Sequence, residues 1–294
     1  MKFLVLLFIS ISAFASPREE AQSLLDRFQS TSNTTDRLNS FSSSFLNLPY
    51  GNAGPLGEGE GSKYDQDPLY RFETFDCTTF VETNVSLALA HNVNEFENLM
   101  NQIRYENSQV DYLKRNHFPS LQWIPNNIKN GVFKEINQDV LPASELRTAE
   151  AIIDIPGWLN KASINTIQIP NASTPERESI LQELKSHSSE FKPAIAQLEY
   201  IPISTLLARP ELLKKIPSGS IISFVRPNWD LTQSIGTHMN VSHQGFIFQT
   251  KGGTILRHAS ASAHKVIELT LFEYLKSFAN SPTLKGIHLL QINH

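Results

Sequence analysis

Apolar residues at helical spacing dominate the first third of this 294-residue chain, and short β-rich runs dominate the last third, an order that sharply restricts the folds open to it. The segment from Pro17 to Phe28 places Ala21, Leu24, Leu25 and Phe28 on one face, with Glu19 and Glu20 in the first turn. Leu46 to Tyr70, with Gly51, Gly54-Pro55, Gly57, Gly59 and Gly61, reads as loop. Asp76 then caps a helix running to about His91 through Phe80, Val81, Val85, Ala88 and Leu89. Asn94 with Glu97 reads as a capping box opening a second helix through Phe96, Leu99, Met100 and Ile103. Further on, Ala151 to Ile155 reads as a strand, and Thr174-Pro175-Glu176 opens a helix to about His187. Gly219–Val225, Val241–Gln249, Thr254–His258, Lys265–Leu269 and Gly286–Ile292 are strand-like runs with short connections, which favour antiparallel pairing. The expected class is α+β, with N-terminal helices packed on a mostly antiparallel C-terminal sheet.

At the N-terminus, Met1-Lys2, the apolar run Phe3 to Phe14 and the small-residue site Ala13-Phe14-Ala15 read as a secretory signal peptide over 1–15, cleaved after Ala15. No later stretch approaches the ~20 apolar residues of a membrane span. No cysteine follows the cleavage site to carry a lipid anchor. The expectation is a single exported domain over 16–294, periplasmic or secreted. Net charge is −4 with both signs mixed, which excludes the basic stripe of a nucleic-acid binder. Hydrophobic residues make up 40% of the chain, with 18 Phe, enough for a packed core. No internal repeat is evident, and the longest biased tract is the serine-rich stretch Ser40 to Ser44.

The chain has one cysteine, Cys77, in Phe75-Asp76-Cys77-Thr78-Thr79-Phe80-Val81-Glu82, where the glycine-rich loop gives way to the apolar helix. A thiol at a helix start meets unpaired N–H groups and the positive end of the dipole, both of which favour the thiolate. A buried cysteine acting as a small apolar side chain is the competing reading. Export tilts the balance: an unpaired cysteine in an oxidising compartment points to intermolecular pairing or a reactive thiol.

A thiol nucleophile needs a base, and the base needs an orienting partner. Nine histidines are available. His91 and His187 fall near expected helix ends, and His294 is terminal. His243 lies near the start of a strand on the face shared with Val241, Gly245 and Ile247, and the small Gly245 leaves room beside its ring. A satisfied half-buried histidine is an equal reading of that segment alone. The turn Lys251-Gly252-Gly253 would fold His258 back towards His243, where it could fix the ring and tautomer of the base. Two histidines and a cysteine could also hold zinc, but no H-E-x-x-H, C-x-x-C or adjacent acid supports it, so no metal or other cofactor is expected.

From Asp111 to Asn137 the chain is polar and aromatic, with Arg115-Asn116-His117-Phe118 and Trp123-Ile124-Pro125-Asn126-Asn127. This stretch, about 111–137, is the candidate substrate-binding insertion: Trp123 could stack on a sugar ring while Arg115, Asn116, His117, Asn126 and Asn127 meet polar groups. A structural cover packed on the core helix is the competing reading.

The run Phe75 to Glu82, Pro217-Ser218-Gly219-Ser220, Ser242-His243-Gln244-Gly245-Phe246-Ile247 and His258-Ala259-Ser260 resemble the successive motifs of NlpC-type, papain-like cell-wall cysteine hydrolases. The form Asp-Cys-Thr-Thr-Phe-Val-Glu, with the 115–118 and 123–127 motifs, is similar to the N-acetylmuramoyl-L-alanine amidase-like branch. That resemblance implies a papain-like fold and cleavage of the amide between the lactyl group of an N-acetylmuramic, often 1,6-anhydro, sugar and L-alanine. Peptidoglycan fragments (muropeptides) are the implied substrate. It implies Cys77 as nucleophile, His243 as base and His258 as third polar residue. It also places Tyr50, in Leu48-Pro49-Tyr50-Gly51, and Asp76 beside the substrate. Two positions depart from the family pattern: Gly219-Ser220 replaces Gly-Asp, and Gln244 replaces an apolar residue. A stem-peptide endopeptidase of γ-D-Glu type, or a muropeptide binder without catalysis, remains the alternative.

Overall fold

The computed structural model describes residues 16–31, 33–51 and 56–293. The expected signal peptide therefore lies outside the described residues. Four N-terminal helices come first: α1 (Pro17–Arg27), α2 (Thr34–Ser44), α3 (Cys77–Leu89) and α4 (Val93–Arg104). Eight strands follow: β1 (Phe133–Glu135), β2 (Arg147–Ile153), β3 (Ala194–Pro202), β4 (Ser220–Leu231), β5 (Thr237–Thr250), β6 (Gly253–Ser260), β7 (Lys265–Thr270) and β8 (Gly286–Ile292). They form one sheet in the order β2-β3-β8-β4-β5-β6-β7, with β1 also on β8, and each of these pairings is antiparallel. The expected α+β class holds.

α3 is the helix around which the rest is arranged. Every residue from Phe80 to Ala88 is buried, as expected of a helix with neighbours on all sides. Phe80, Val81 and Val85 share one core with Ile221, Val225, Phe246 and Ala259 from one face of the sheet. Each such side chain contributes roughly 1.5–3 kcal/mol by leaving water. A second core forms on the other face, where Ile222, Phe224, Ile247 and Leu256 meet Leu271 and Leu275 of the helix Leu271–Ser277. The sheet is thus covered on both sides.

Two elements go beyond or differ from the sequence reading. The serine-rich stretch is helical, because Asn33 caps it and Ser42, Ser43 and Ser44 donate back to the carbonyls of Leu38, Ser40 and Phe41. That helix, α2, presents the buried Arg37 to the end of α3, donating to the carbonyls of Ala88 at 2.8 Å and Leu87 at 3.0 Å. A guanidinium on the orphan carbonyls of a helix C-terminus satisfies both hydrogen bonding and dipole. The second difference is the start of α4, which is capped by Asn92, accepting from Glu95 N–H at 3.0 Å. Asn94 and Glu97 do not cap it; Arg18 of α1 binds both.

The 111–137 segment is built into the fold. It contains the helix Ile124–Lys129, and β1 at its end pairs with β8. Its indole, Trp123, is 1% exposed and donates to Glu82 of α3 at 3.0 Å, while Arg104 of α4 donates to the same carboxylate at 2.8 Å. Asn127, fully buried, donates to the carbonyls of Ile103 and Trp123. Trp123 has no face free to stack on a sugar, and Asn127 has no exposed atom to offer one. Both are corrected to structural roles, clamping the segment to α3 and α4.

Candidate active site

Cys77 is the first residue of α3, directly after its cap. Asp76 Oδ1 accepts the Thr79 N–H at 2.8 Å, and the Thr79 hydroxyl accepts the Asp76 N–H at 3.0 Å. This reciprocal cap fixes the entry of the chain and therefore the direction of the Cys77 side chain. The preceding strand-like piece is held as well, since Tyr50 bridges Phe75 and Gly51 N–H donates to Phe75 O at 2.8 Å.

The sheet opens to receive that helix start. Pairing of β5 with β6 runs from Thr250–Gly253 to Phe246–Arg257 and stops there, although β6 stays paired with β7 as far as Ser260–Lys265. Beyond the split, the Gln244 backbone N–H turns to Cys77 Sγ. The histidines stand at the same split. His243 Nε2 and His258 Nδ1 are 2.5 Å apart, their rings edge to face with centroids at 4.8 Å. Phe224 stacks on His243 at 5.7 Å.

A β-bulge sets the facing of His243. Phe224 pairs with His243 and the next residue, Val225, pairs with Val241, so Ser242 is the extra residue. Val241 consequently enters the α3-side core, whereas His243 stacks on Phe224 and meets His258. The expectation that Val241 and His243 share a face is corrected by this bulge. Gly245 does leave the room expected of it: a Cβ there would lie 2.9 Å from both Arg257 O and His258 Cβ. Gly245→Ala should therefore push β6 and His258 aside, costing about 1–3 kcal/mol of stability. A shift approaching an ångström in the histidine pair should cost roughly 10–100-fold in kcat with KM little changed. A variant with wild-type kcat would show that His258 is not held by this contact.

Gln244 and Tyr274, the second of them not singled out from sequence, complete the site. Gln244, 1% exposed, accepts from Thr78 Oγ1 at 3.2 Å and donates to Ser223 Oγ at 3.2 Å, tying the start of α3 to β4 and β5. The departure from an apolar residue here thus adds a polar tether. Tyr274, on the helix Leu271–Ser277, stands edge to face against His258 at 5.4 Å. Its spacing among Leu271, Leu275 and Phe278 gave only a core signal.

The site's electrostatics favour neutral groups. Burial, with Asp76 alongside, pushes the Cys77 thiol up to about 12, outweighing the N–H of Gln244 and the hydroxyl of Thr78. Desolvation and the helix-start dipole thus act on the thiol in opposite directions. Tyr50 is pushed up to about 12 by burial, then by Cys77 and Asp76. Burial holds His243 and His258 well below the ordinary imidazole range, and the proximity of His258 lowers His243 further. Burial likewise lowers His117 to about 3 and His288 to about 4.

Because these four folded-state values lie below the unfolded value of about 6.5, the unfolded chain takes up protons that the folded chain refuses. Stability is full above pH ~6.5 and falls as pH drops towards 4–3, by up to ~1.4 kcal/mol per pH unit for each histidine. The melting temperature is expected to decline steeply from pH 7 to pH 4.5. A flat melting profile over that range would contradict four neutral buried imidazoles.

Beside the start of α3 lies a cavity of about 170 Å³, walled by Asp76, Thr78 and Thr79 on one side and Arg115, Asn116 and His117 on the other. The structure thus brings four of the sequence-selected residues together next to Cys77. Their side chains are already engaged. Arg115 is paired with Glu58 and, at 3.2 Å, with Asp65; Asn116 accepts from Asn126 at 2.7 Å; His117 bonds the Tyr112 carbonyl at 2.8 Å. Asn126 reaches the cavity wall only through Asn116. Among the described residues, no group of three or more His, Cys, Asp or Glu is disposed to hold a metal, and no helix is long and apolar enough to cross a membrane.

The family model for N-acetylmuramoyl-L-alanine amidase-like (AmiA-like) proteins matches residues 40–283, a span containing Cys77, His243 and His258. A crystal structure of a Legionella pneumophila protein is 34% identical over 94% of each chain, with a TM-score of 0.90. An N-acetylmuramoyl-L-alanine amidase of Bacteroides uniformis is 21% identical, covering 89% of this chain and 99% of its own, with a TM-score of 0.64. A Bacteroides fragilis structure that bears a xylanase name is 23% identical over 86% of this chain and all of its own, with a TM-score of 0.59. At such low identities the last two likenesses show the fold alone. No curated protein matches the chain in sequence. Fold and family match together define the class, amidase-like hydrolases of the bacterial cell wall. Within it, the chain belongs to the AmiA-like, N-acetylmuramoyl-L-alanine amidase-like family.

Proposed function

We propose that this protein is a cysteine amidase of the NlpC-type, papain-like branch that cuts the lactyl–L-Ala amide of muropeptides. The observation that carries the proposal is the 2.5 Å His243–His258 contact at the sheet split that also receives Cys77. With Nε2 of His243 committed to His258, Nδ1 is the nitrogen left to serve the thiol. For Nδ1 to accept a proton, Nε2 must donate to His258 Nδ1, which places the His258 proton on its own Nε2. That nitrogen is buried and has no hydrogen-bond partner among the described residues. The Tyr274 ring, edge to face with His258, is the neighbour best placed to tolerate such a donor.

The mechanism starts from the neutral thiol–imidazole pair. His243 removes the Cys77 proton as Sγ attacks the lactyl carbonyl, and backbone N–H groups at the start of α3 stabilise the oxyanion. The resulting imidazolium returns the proton to the departing L-Ala amine, leaving a thioester that water hydrolyses with His243 again as base. Tyr50 and the cavity beside Asp76 form the approach for the sugar-bearing acyl side. The reading of residues 1–15 as a secretory signal supports action on cell-wall fragments in the periplasm or outside the cell.

Digestion of an anhydromuropeptide, followed by mass spectrometry, tests the bond. Release of an intact stem beginning at L-Ala is expected. Cleavage inside the stem would instead support the endopeptidase, and binding without turnover would support the non-catalytic scaffold.

A further inference from the structure

The cations beside the cavity are already matched, Arg104 by Glu82 and Arg115 by Glu58 and Asp65. Arg226 is different. It projects from β4 two residues beyond Phe224, the residue stacked on His243. Its Nε donates to Ser242 Oγ at 3.0 Å and its Nη1 to Thr283 Oγ1, and the guanidinium lies over the Trp229 ring at 5.2 Å. Both hydrogen-bond partners are neutral hydroxyls. Among the described residues no carboxylate pairs with it, and Nη2 is left without a protein acceptor. The group is half-buried and braced on three sides, so little side-chain freedom remains to be lost on binding an anion.

Its position supplies the direction. Ser242 is the bulged residue immediately before His243, so Arg226 is anchored one residue from the proposed base. Tyr274, the ring against His258, lies within electrostatic reach of both Cys77 and Arg226. In the mechanism above, His243 is the group that hands its proton to the leaving amine. The side of the cleft next to His243 therefore faces the leaving peptide, and a cation there meets that peptide's charge.

We propose that Arg226, held by Ser242 and Thr283 against Trp229, binds a carboxylate of the leaving stem peptide. For a stem of L-Ala followed by γ-linked D-Glu, the first carboxylate past the scissile amide is the α-carboxylate of the second residue. This assignment rests on the amidase reading and sharpens it to a substrate feature. It adds Arg226 as a specificity residue.

The test compares hydrolysis of an anhydromuramoyl tripeptide whose second residue carries a free α-carboxylate with that of its α-amidated counterpart. Wild type, Arg226→Gln and Arg226→Lys are each run on both. Wild type should favour the free acid by roughly 10–100-fold in kcat/KM, chiefly through KM, as a charge-assisted hydrogen bond implies. Arg226→Gln should collapse that ratio towards one, and Arg226→Lys should retain part of it. An unchanged ratio in Arg226→Gln, or an equal fall on both substrates, would overturn the assignment. Failure of wild type to release a stem beginning at L-Ala from either substrate would instead overturn the amidase reading on which it stands.

Discussion

Cys77→Ala is expected to lower turnover by roughly 10⁴–10⁶-fold, the scale of removing a nucleophile, without a matching loss of fold. The residue is partly exposed and contributes one small side chain at the start of α3, whose cap belongs to Asp76 and Thr79. Melting temperature should therefore change little, and the inactive variant should still bind muropeptide. The thiol's own acidity gives a second readout. With Sγ pushed up to about 12 by burial and Asp76, alkylation of the ligand-free protein by iodoacetamide should be slow at pH 7 and climb through alkaline pH. A fast, pH-independent reaction near neutrality would mean a resting thiolate and a different starting state. Retention of activity within about tenfold in Cys77→Ala would remove the nucleophile altogether.

His243→Ala should cost roughly 10³–10⁴-fold in kcat, because the neutral thiol then has no acceptor for its proton and the leaving amine no donor. The effect should be largest at neutral pH. Raising the pH should recover part of the rate by ionising the thiol directly, whereas Cys77→Ala should recover nothing. His258 acts through His243, so His258→Ala should fall less far than His243→Ala, and His258→Asn, which keeps an acceptor facing His243, should fall less than His258→Ala. Equal losses for all three would assign the pair a packing role rather than proton transfer. Rates at several pH values, measured with melting curves for each variant, separate the two.

Much of this site could be read from the chain because it is local. The loop-to-helix switch at Asp76-Cys77 and the hairpin around Lys251-Gly252-Gly253 are encoded by neighbours in sequence, and both appear where their residues place them. What could not be read is long-range. Ser242 gives no sign that it is a bulge, yet the bulge decides which face His243 occupies. Trp123 and Asn127 look like recognition residues until Glu82, 41 residues before Trp123, takes the indole N–H and the Ile103 carbonyl takes the amide. Serines 42 to 44 carry hydroxyls that can compete with helix formation, and here they return those hydroxyls to the helix's own carbonyls. β3 is a different case. Ala196, Leu198 and Tyr200 alternate as a strand should and are buried, so its period-2 pattern is legible in the chain. The thiol's acidity is not legible from the helix start alone, because desolvation by the surrounding fold opposes the dipole there.

On the proposed mechanism, Cys77 forms a covalent bond to the acyl side of the lactyl–L-Ala amide. Intact-protein mass spectrometry of an acid-quenched reaction with an anhydromuropeptide tests it directly. A transient adduct on Cys77 with the mass of the anhydromuramoyl acyl group and no stem peptide is expected. An adduct carrying stem-peptide residues, or steady turnover by Cys77→Ala, would contradict it.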